Sequence, residues 1–215
     1  MASSGRFIVL EGIDGCGSTT QADLLVAALG QRGVDARRTC EPSRGPVGKL
    51  IREILQHRVT GERSGTPREF SWQTMGLLFA ADRLDHVRSE VEPALAAGAT
   101  VVSDRFDLSS IAYQSASSDT EPAAADWVRQ LNRYARRPDL TVVLDVPVDV
   151  AEGRRDARGA EAELFEKREL QTRLAELYAT AEQLVPGDRL IHVDGTLPPD
   201  QVLERILESV QPLMK

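Results

Sequence analysis

The chain has 215 residues, of which 41% are hydrophobic and 27% charged, a length and balance that suit one compact domain, residues 1–215. A formal net charge of −7 excludes broad electrostatic adhesion to DNA, RNA or an anionic membrane, so any anion must be met in a local pocket. No apolar run is long enough to span a bilayer, and Met1-Ala2-Ser3-Ser4-Gly5-Arg6 lacks a signal-peptide core, so a cytoplasmic location is expected.

The first apolar run, Arg6 through Glu11, has the composition of a buried strand. Directly behind it, Gly12-Ile13-Asp14-Gly15-Cys16-Gly17-Ser18-Thr19-Thr20 keeps the glycines, the spacing and the closing threonine of a phosphate-binding loop. Thr20 through Leu29 then has helical spacing, with Leu25 and Leu29 four residues apart. Strand, glycine loop and helix in that order aim backbone N–H groups and a helix N-terminus at phosphate, and the Thr19 hydroxyl at a magnesium ion. The loop departs at one position, because Ser18 stands where such loops carry lysine. The charge that lysine brings to the outer phosphates must come from elsewhere, or the site does without it.

A weaker strand-like stretch lies near 35–40, and 57–68 reads as a loop by composition. Residues 67–97 read as mostly helical, with Pro93 a break or a helix start and Gly98 the end. Further apolar runs at 100–104, 140–146 and 189–193 alternate with helical stretches, which predicts an α/β fold: five central parallel strands with helices on both faces. Asp104-Arg105 ends one of these strands, so it shares the C-terminal sheet edge with the glycine loop. There Asp104 can reach the magnesium shell and Arg105 a second phosphate. The polar stretch 115–122 ends where a new helix begins, and the mixed-charge stretch 154–163 reads either as a solvated helix end or as a lid. Cys16 and Cys40 lack metal-site spacing, and His57, His86 and His192 read as surface or packing residues. Cys16 reads as a small filler, although a nearby helix N-terminus would lower its pKa and expose it to alkylation.

Several motifs in order resemble the thymidylate kinase family of nucleoside monophosphate kinases. They are Phe7 through Gly15, Glu41-Pro42, Leu78-Phe79-Ala80-Ala81-Asp82-Arg83, Asp104 through Gln114, and Pro138 through Val146. The resemblance implies a three-layer P-loop NTPase fold with a small lid near 154–166, and transfer of the ATP γ-phosphoryl group to dTMP. It implies that Gly12, Ile13, Asp14, Gly15, Cys16, Gly17, Ser18, Thr19 and Thr20 hold ATP, with Arg154 flanking the adenine and Thr19 and Asp104 binding Mg2+. On the acceptor side it implies that Asp14 meets the sugar 3′-hydroxyl, Phe79 stacks on thymine, Arg83 donates to the base O4 and Arg105 holds the dTMP phosphate. Arg44 and Arg52 are further phosphate candidates. Ser110 is implied to meet the base edge and Tyr113 to fill the space of a ribose 2′-hydroxyl, with Ser109 and Gln114 completing the substrate set. A homodimer formed through helices of 67–97 and 107–114 is also implied.

Family members keep a catalytic arginine either directly after the acidic loop residue or on the lid. Gly15 follows Asp14 here, so the chain matches the lid type, with Arg158 the first candidate and Arg155 the second. Two departures accompany Ser18. Ser43-Arg44-Gly45 follows Glu41-Pro42 instead of a glycine pair, and Ala162-Glu163 precedes Leu164-Phe165-Glu166 where many members have an arginine. This leaves the expected lid one cation short. Two alternatives stay open: a kinase for another deoxynucleotide, and a nucleotide-binding regulatory protein that lost catalysis with its lysine.

Overall fold

The computed structural model describes residues 5–118, 123–158, 165 and 167–214. Its central sheet has five strands in the order β2-β5-β1-β6-β7: β1 (Phe7–Glu11), β2 (Ala36–Cys40), β5 (Thr100–Asp104), β6 (Leu140–Asp145) and β7 (Leu190–Asp194). All four pairings are parallel. β1, at the centre, is buried along its whole length, which is why it reads as an unbroken apolar run and not as an alternation. The register sets Leu10 and Cys40 opposite Asp104, and Glu11 opposite Val143. The ends of the strands that carry candidate residues therefore meet at one edge.

Helices α1 (Ser18–Gln31) and α10 (Pro199–Val210) supply Leu25, Leu29, Val202 and Ile206 to the main core, and α5 (Asp107–Ser117) and α8 (Arg168–Tyr178) supply Leu108, Ile111 and Leu174. A smaller cluster joins Phe7, Val9 and Val101 to Val87, Val91, Leu95 and Phe106. Successive residues of β1 thus serve different clusters, as the two-residue period of a strand requires. No helix among the described residues is long and apolar enough to cross a membrane.

The polar stretch 57–68 differs from expectation. Gly61–Arg63 (β3) and Thr66–Arg68 (β4) form an antiparallel hairpin, closed by Ser64 and Gly65 at φ 52° and 79°. Two left-handed residues in succession suit a two-residue hairpin turn. The helical stretch also begins later than expected. Ser71 caps α3 (Trp72–His86) by accepting from the Thr74 N–H at 3.2 Å. The backbone then widens into a π turn (Val87–Val91) and continues as α4 (Glu92–Ala96). Pro93 sits in the first turn of α4, directly after the π turn, and the helical path is not broken. Gly98, at φ +87°, ends it. α2 (Pro46–Leu55) follows β2, and α6 (Ala124–Leu131) follows α5. α7 (Val148–Arg158) follows β6, so Arg154 and Arg155 stand on a helix and not in a lid loop. The side chain of Arg158 and residues 159–164 and 166, the bulk of the expected lid, lie outside the described residues.

Candidate active site

At the sheet edge a cavity of about 590 Å³ runs from the glycine loop to α3 and α5. Asp14, Gly15, Gly17, Ser18, Thr19 and Thr20 line one end. The loop needs its glycines for close approach as well as for its turn. A Cβ on Gly12 would lie 2.9 Å from the Leu144 carbonyl oxygen, and one on Gly15 would lie 2.4 Å from that of Ala151 on α7. Gly17, left-handed at φ 99°, precedes α1 without a side-chain cap. The first-turn N–H groups of α1 have no intrahelical acceptor and face the cavity end where anions are favoured. Ile13 and Cys16 are buried beneath the loop. Burial pushes the Cys16 thiol up, against the expected helix-terminus effect, so Cys16 is an inert filler.

Thr19 Oγ1 donates to Asp104 Oδ2 at 2.6 Å, and Asp104 Oδ1 is buried without a hydrogen-bond partner among the described residues. A hydroxyl beside an orphaned carboxylate oxygen is an all-oxygen set of the kind that hard divalent cations take, so these residues fit magnesium. Arg38 on β2 comes within 3.4 Å of Asp104 Oδ2, and its Nε lies 2.8 Å from Asp23.

Arg105 occupies the left-handed region at φ 71°, an uncommon place for a side chain of its size. The turn brings its guanidinium back over the loop. Nη1 donates to the Gly12 carbonyl at 2.8 Å and Ser109 Oγ at 3.0 Å, Nη2 donates to Asp14 Oδ1 at 2.7 Å, and the group lies 5.3 Å from the centre of the Tyr113 ring. The second oxygen of Asp14 accepts from Gln171 Nε2 at 2.8 Å, while Gln171 Oε1 accepts the Asp14 N–H at 3.1 Å. Gln171 is fully buried on α8 and also donates to the Phe165 carbonyl at 2.7 Å. Beneath them, Glu11 accepts from the Phe106 N–H at 2.8 Å, Ser109 Oγ at 2.5 Å and the Tyr178 hydroxyl at 3.0 Å. Burial raises the Glu11 carboxyl above its usual range, in spite of those donors and the field of Arg105.

The far end is walled by α3 and α5. Phe79 is half-buried on the cavity wall. Arg83 is fully buried: Nη1 donates to Asn132 Oδ1 at 2.6 Å, and Nη2 to the Phe106 carbonyl at 3.0 Å and Ser110 Oγ at 2.9 Å. Glu41 Oε2 lies 2.6 Å from the same Nη2, and Arg83 Nε is buried without a hydrogen-bond partner among the described residues. The Tyr113 hydroxyl and both amide atoms of Gln114 are likewise buried and, among the described residues, unpartnered on side chains that line the cavity. Unsatisfied polar atoms at this density are costly unless a ligand meets them.

The family model for thymidylate kinase matches residues 10–206. The chain belongs to the thymidylate kinase family. Proteins described as "Probable thymidylate kinase" are similar along nearly the whole chain. The one from Methanococcus maripaludis is 41% identical over 211 residues, covering 95% of this chain and 94% of its own length. Its counterpart from Thermococcus gammatolerans is 39% identical over 195 residues, 90% of each chain, and that from Pyrococcus abyssi 36% identical over 213 residues, 98% and 96%.

Most of the residues singled out by the thymidylate kinase motifs come together here. Asp14, Arg52, Phe79, Arg83, Asp104, Arg105, Ser109, Ser110, Tyr113, Gln114 and Arg154 all line the one cavity. Three arginines do not behave as expected. Arg44 is exposed in the turn before α2 and is not part of the lining. Arg52 lines the cavity but spends its guanidinium on the loop itself, donating to the Ser43 carbonyl at 2.6 Å and to that of Pro42. Arg155 is buried and donates to the Asp14 carbonyl, bracing the glycine loop from behind. Arg154 donates to the Cys16 carbonyl at 3.2 Å and to that of Gly195 at 2.9 Å, so it lies across the loop beside Ser18. Lys49 and Lys167 are exposed and away from the cavity, whose lining cations are arginines. Glu11, Gln171 and Arg38 were not singled out by sequence. For Glu11 a signal existed, a charged residue ending a buried strand just before a glycine loop.

Proposed function

We propose that the protein transfers the γ-phosphoryl group of ATP to dTMP, giving ADP and dTDP. The observation that carries this reading is the single cavity with two unlike ends. One end has a phosphate loop, Thr19 and Asp104; the other has a buried guanidinium, a buried unpartnered amide and an aromatic wall. The thymine ring lies against Phe79 and meets the free Nε–H of Arg83 and the amide of Gln114. Tyr113 occupies the space a ribose 2′-hydroxyl would need, so deoxyribose is selected by exclusion. Arg105 grips the acceptor phosphate, and Asp14, steadied by Gln171, meets the sugar 3′-hydroxyl beside it. Holding donor and acceptor in line replaces a bimolecular encounter by a positioned one.

Thr19 and Asp104 would hold Mg2+, which would supply charge neutralisation on the transferred phosphate. The lysine charge absent at Ser18 comes from arginine: Arg158 at the end of α7, where the lid begins, with Arg154 of the same helix already seated across the loop. The whole chain then acts as one kinase domain, located in the cytoplasm, with ATP and dTMP as its partners and no nucleic acid. Leu77 and Leu84, 53% and 39% exposed and seven residues apart on α3, offer a second copy of the chain an apolar face for a homodimer.

Ser18 favours one competing reading, a nucleotide-binding protein that no longer catalyses. ADP release from ATP and Mg2+ with a panel of nucleoside monophosphates tests both. Turnover is expected with dTMP first. Turnover of another monophosphate but not dTMP overturns the substrate assignment, and silence with every acceptor, relieved by Ser18→Lys, identifies a lapsed enzyme.

A further inference from the structure

Three polar side chains on α3 are buried to within 1% of complete: Asp82, Arg83 and His86. All three grip the segment that leads from the end of β2 into the cavity wall. Asp82 accepts from the Ser43 N–H and hydroxyl, both at 2.6 Å, and Arg83 holds Glu41 Oε2. His86 lies between the segment and the protein surface. Its Nδ1 is 3.1 Å from the other oxygen of that carboxylate, Glu41 Oε1, and its Nε2 is 2.6 Å from Thr39 Oγ1 and 3.8 Å from Glu90 Oε2. Glu41 and Pro42 line the cavity and His86 does not.

A buried carboxylate needs donors on both oxygens, because an unpaired one carries the full cost of its lost hydration. Arg83 serves one oxygen of Glu41 and His86 the other. Without the imidazole, one oxygen of Glu41 loses its donor and the carboxylate is free to rotate, and the guanidinium across from it loses one of the four partners that fix its plane, the only charged one. That plane matters, since the Nη groups of Arg83 are spent on Asn132, Phe106, Ser110 and Glu41, leaving Nε as the buried unpartnered donor. A planar fork turned by a modest angle aims Nε away from its acceptor.

We infer that His86 is a positioning residue for substrate recognition. It fixes Glu41, which fixes the Arg83 guanidinium, which reads the carbonyl edge of the pyrimidine; His86 itself touches no substrate. The inference rests on the base-reading role proposed for Arg83. It differs from a packing role for His86 in one measurable respect, because a packing loss disturbs both nucleotides whereas a positioning loss is confined to the acceptor.

The test is titration calorimetry of dTMP and of ATP, separately, on the wild type, His86→Ala, His86→Gln, Arg83→Ala and the double variant, with melting temperatures alongside. His86→Ala is expected to weaken dTMP about tenfold and leave ATP within about twofold. His86→Gln, whose amide can both donate to Glu41 and accept from Thr39, is expected to recover dTMP affinity to within about threefold. In the Arg83→Ala background, His86→Ala is expected to add less than about twofold, since the two act in series. Equal weakening of dTMP and ATP, or a full additional tenfold loss in the double variant, overturns the inference. Unchanged dTMP binding in Arg83→Ala overturns the base-reading role and the relay with it. A loss in Arg83→Ala without one in His86→Ala removes the relay alone. Should His86→Ala fail to fold, Thr39→Val, which strips the ring of its far partner, is read the same way, with about threefold expected on dTMP and none on ATP.

Discussion

The two ends of the cavity solve the same problem, holding phosphorylated nucleotides in a protein of net negative charge, by opposite means. At the acceptor end the cations are built in: Arg83 is fully buried, and Arg105 is tied to Gly12, Asp14 and Ser109, each set by neighbours that are themselves hydrogen-bonded. At the donor end the loop contributes backbone N–H groups and no lysine, and Arg154 reaches in from another helix to lie on the loop carbonyls. The contrast teaches that preorganisation and charge can be separated. The acceptor end invests in fixed direction, whereas the donor end uses a shape that any phosphate chain fits, with Arg154 of α7 lying across it.

The comparison is broken most forcefully at Arg105. Arg105→Ala removes the fixed cation of the acceptor end, and kcat/KM for dTMP is expected to fall about 10³-fold in steady-state assays. At the donor end, Arg158→Ala is expected to lower kcat about 10²-fold, and by less than about tenfold when Ser18→Lys is also present, because the new lysine takes over the charge. Equal losses in the two backgrounds would show that the lid does not stand in for the lysine. Gln171→Leu leaves Asp14 without its second donor, for an expected loss of about tenfold in kcat with little change in ATP binding.

The smallest effect concerns stability and pH. Burial raises the Glu11 carboxyl in the fold above its usual value of 4.5, so the protonated form is the one that folding favours. Its contribution is present in full below that value and is lost as pH rises through the raised one. Urea unfolding of the wild type should therefore decline, relative to Glu11→Gln, by up to about 1.4 kcal/mol per pH unit across that window, and run parallel to it at higher pH. A constant difference at all pH values would refute the shift.

The strands and the glycine loop were legible because buried parallel strands must be apolar and phosphate loops need their glycines. Asp104-Arg105 was legible because a charged pair ending such a strand must lie at the ligand edge. The hairpin at 61–68 was not, since three-residue strands containing arginine and proline carry no period. Gln171 was hidden for a different reason: its partner Asp14 lies 157 residues away, and nothing local distinguishes it from the other polar residues of α8. The directions of Arg44 and Arg155 were not legible, because residue type and motif position say which groups can bind phosphate but not which way they turn. His86 was read as a surface or packing residue, and only its burial with Glu41 and Thr39 on either side showed a polar role.

Gly15 bears on the history open to this chain. At φ +91°, with the Ala151 carbonyl 2.4 Å from where a side chain would begin, the position admits no residue beyond glycine. An arginine directly after the acidic loop residue is therefore not one substitution away. The obstacle is main-chain oxygen, which no replacement at position 151 removes, so α7 would first have to retreat from the loop and take Arg154 and Arg155 with it. Arg154 and Arg155 belong to the very helix that bars an arginine at position 15, so Ser18→Lys is the shorter way to place a further cation on this loop.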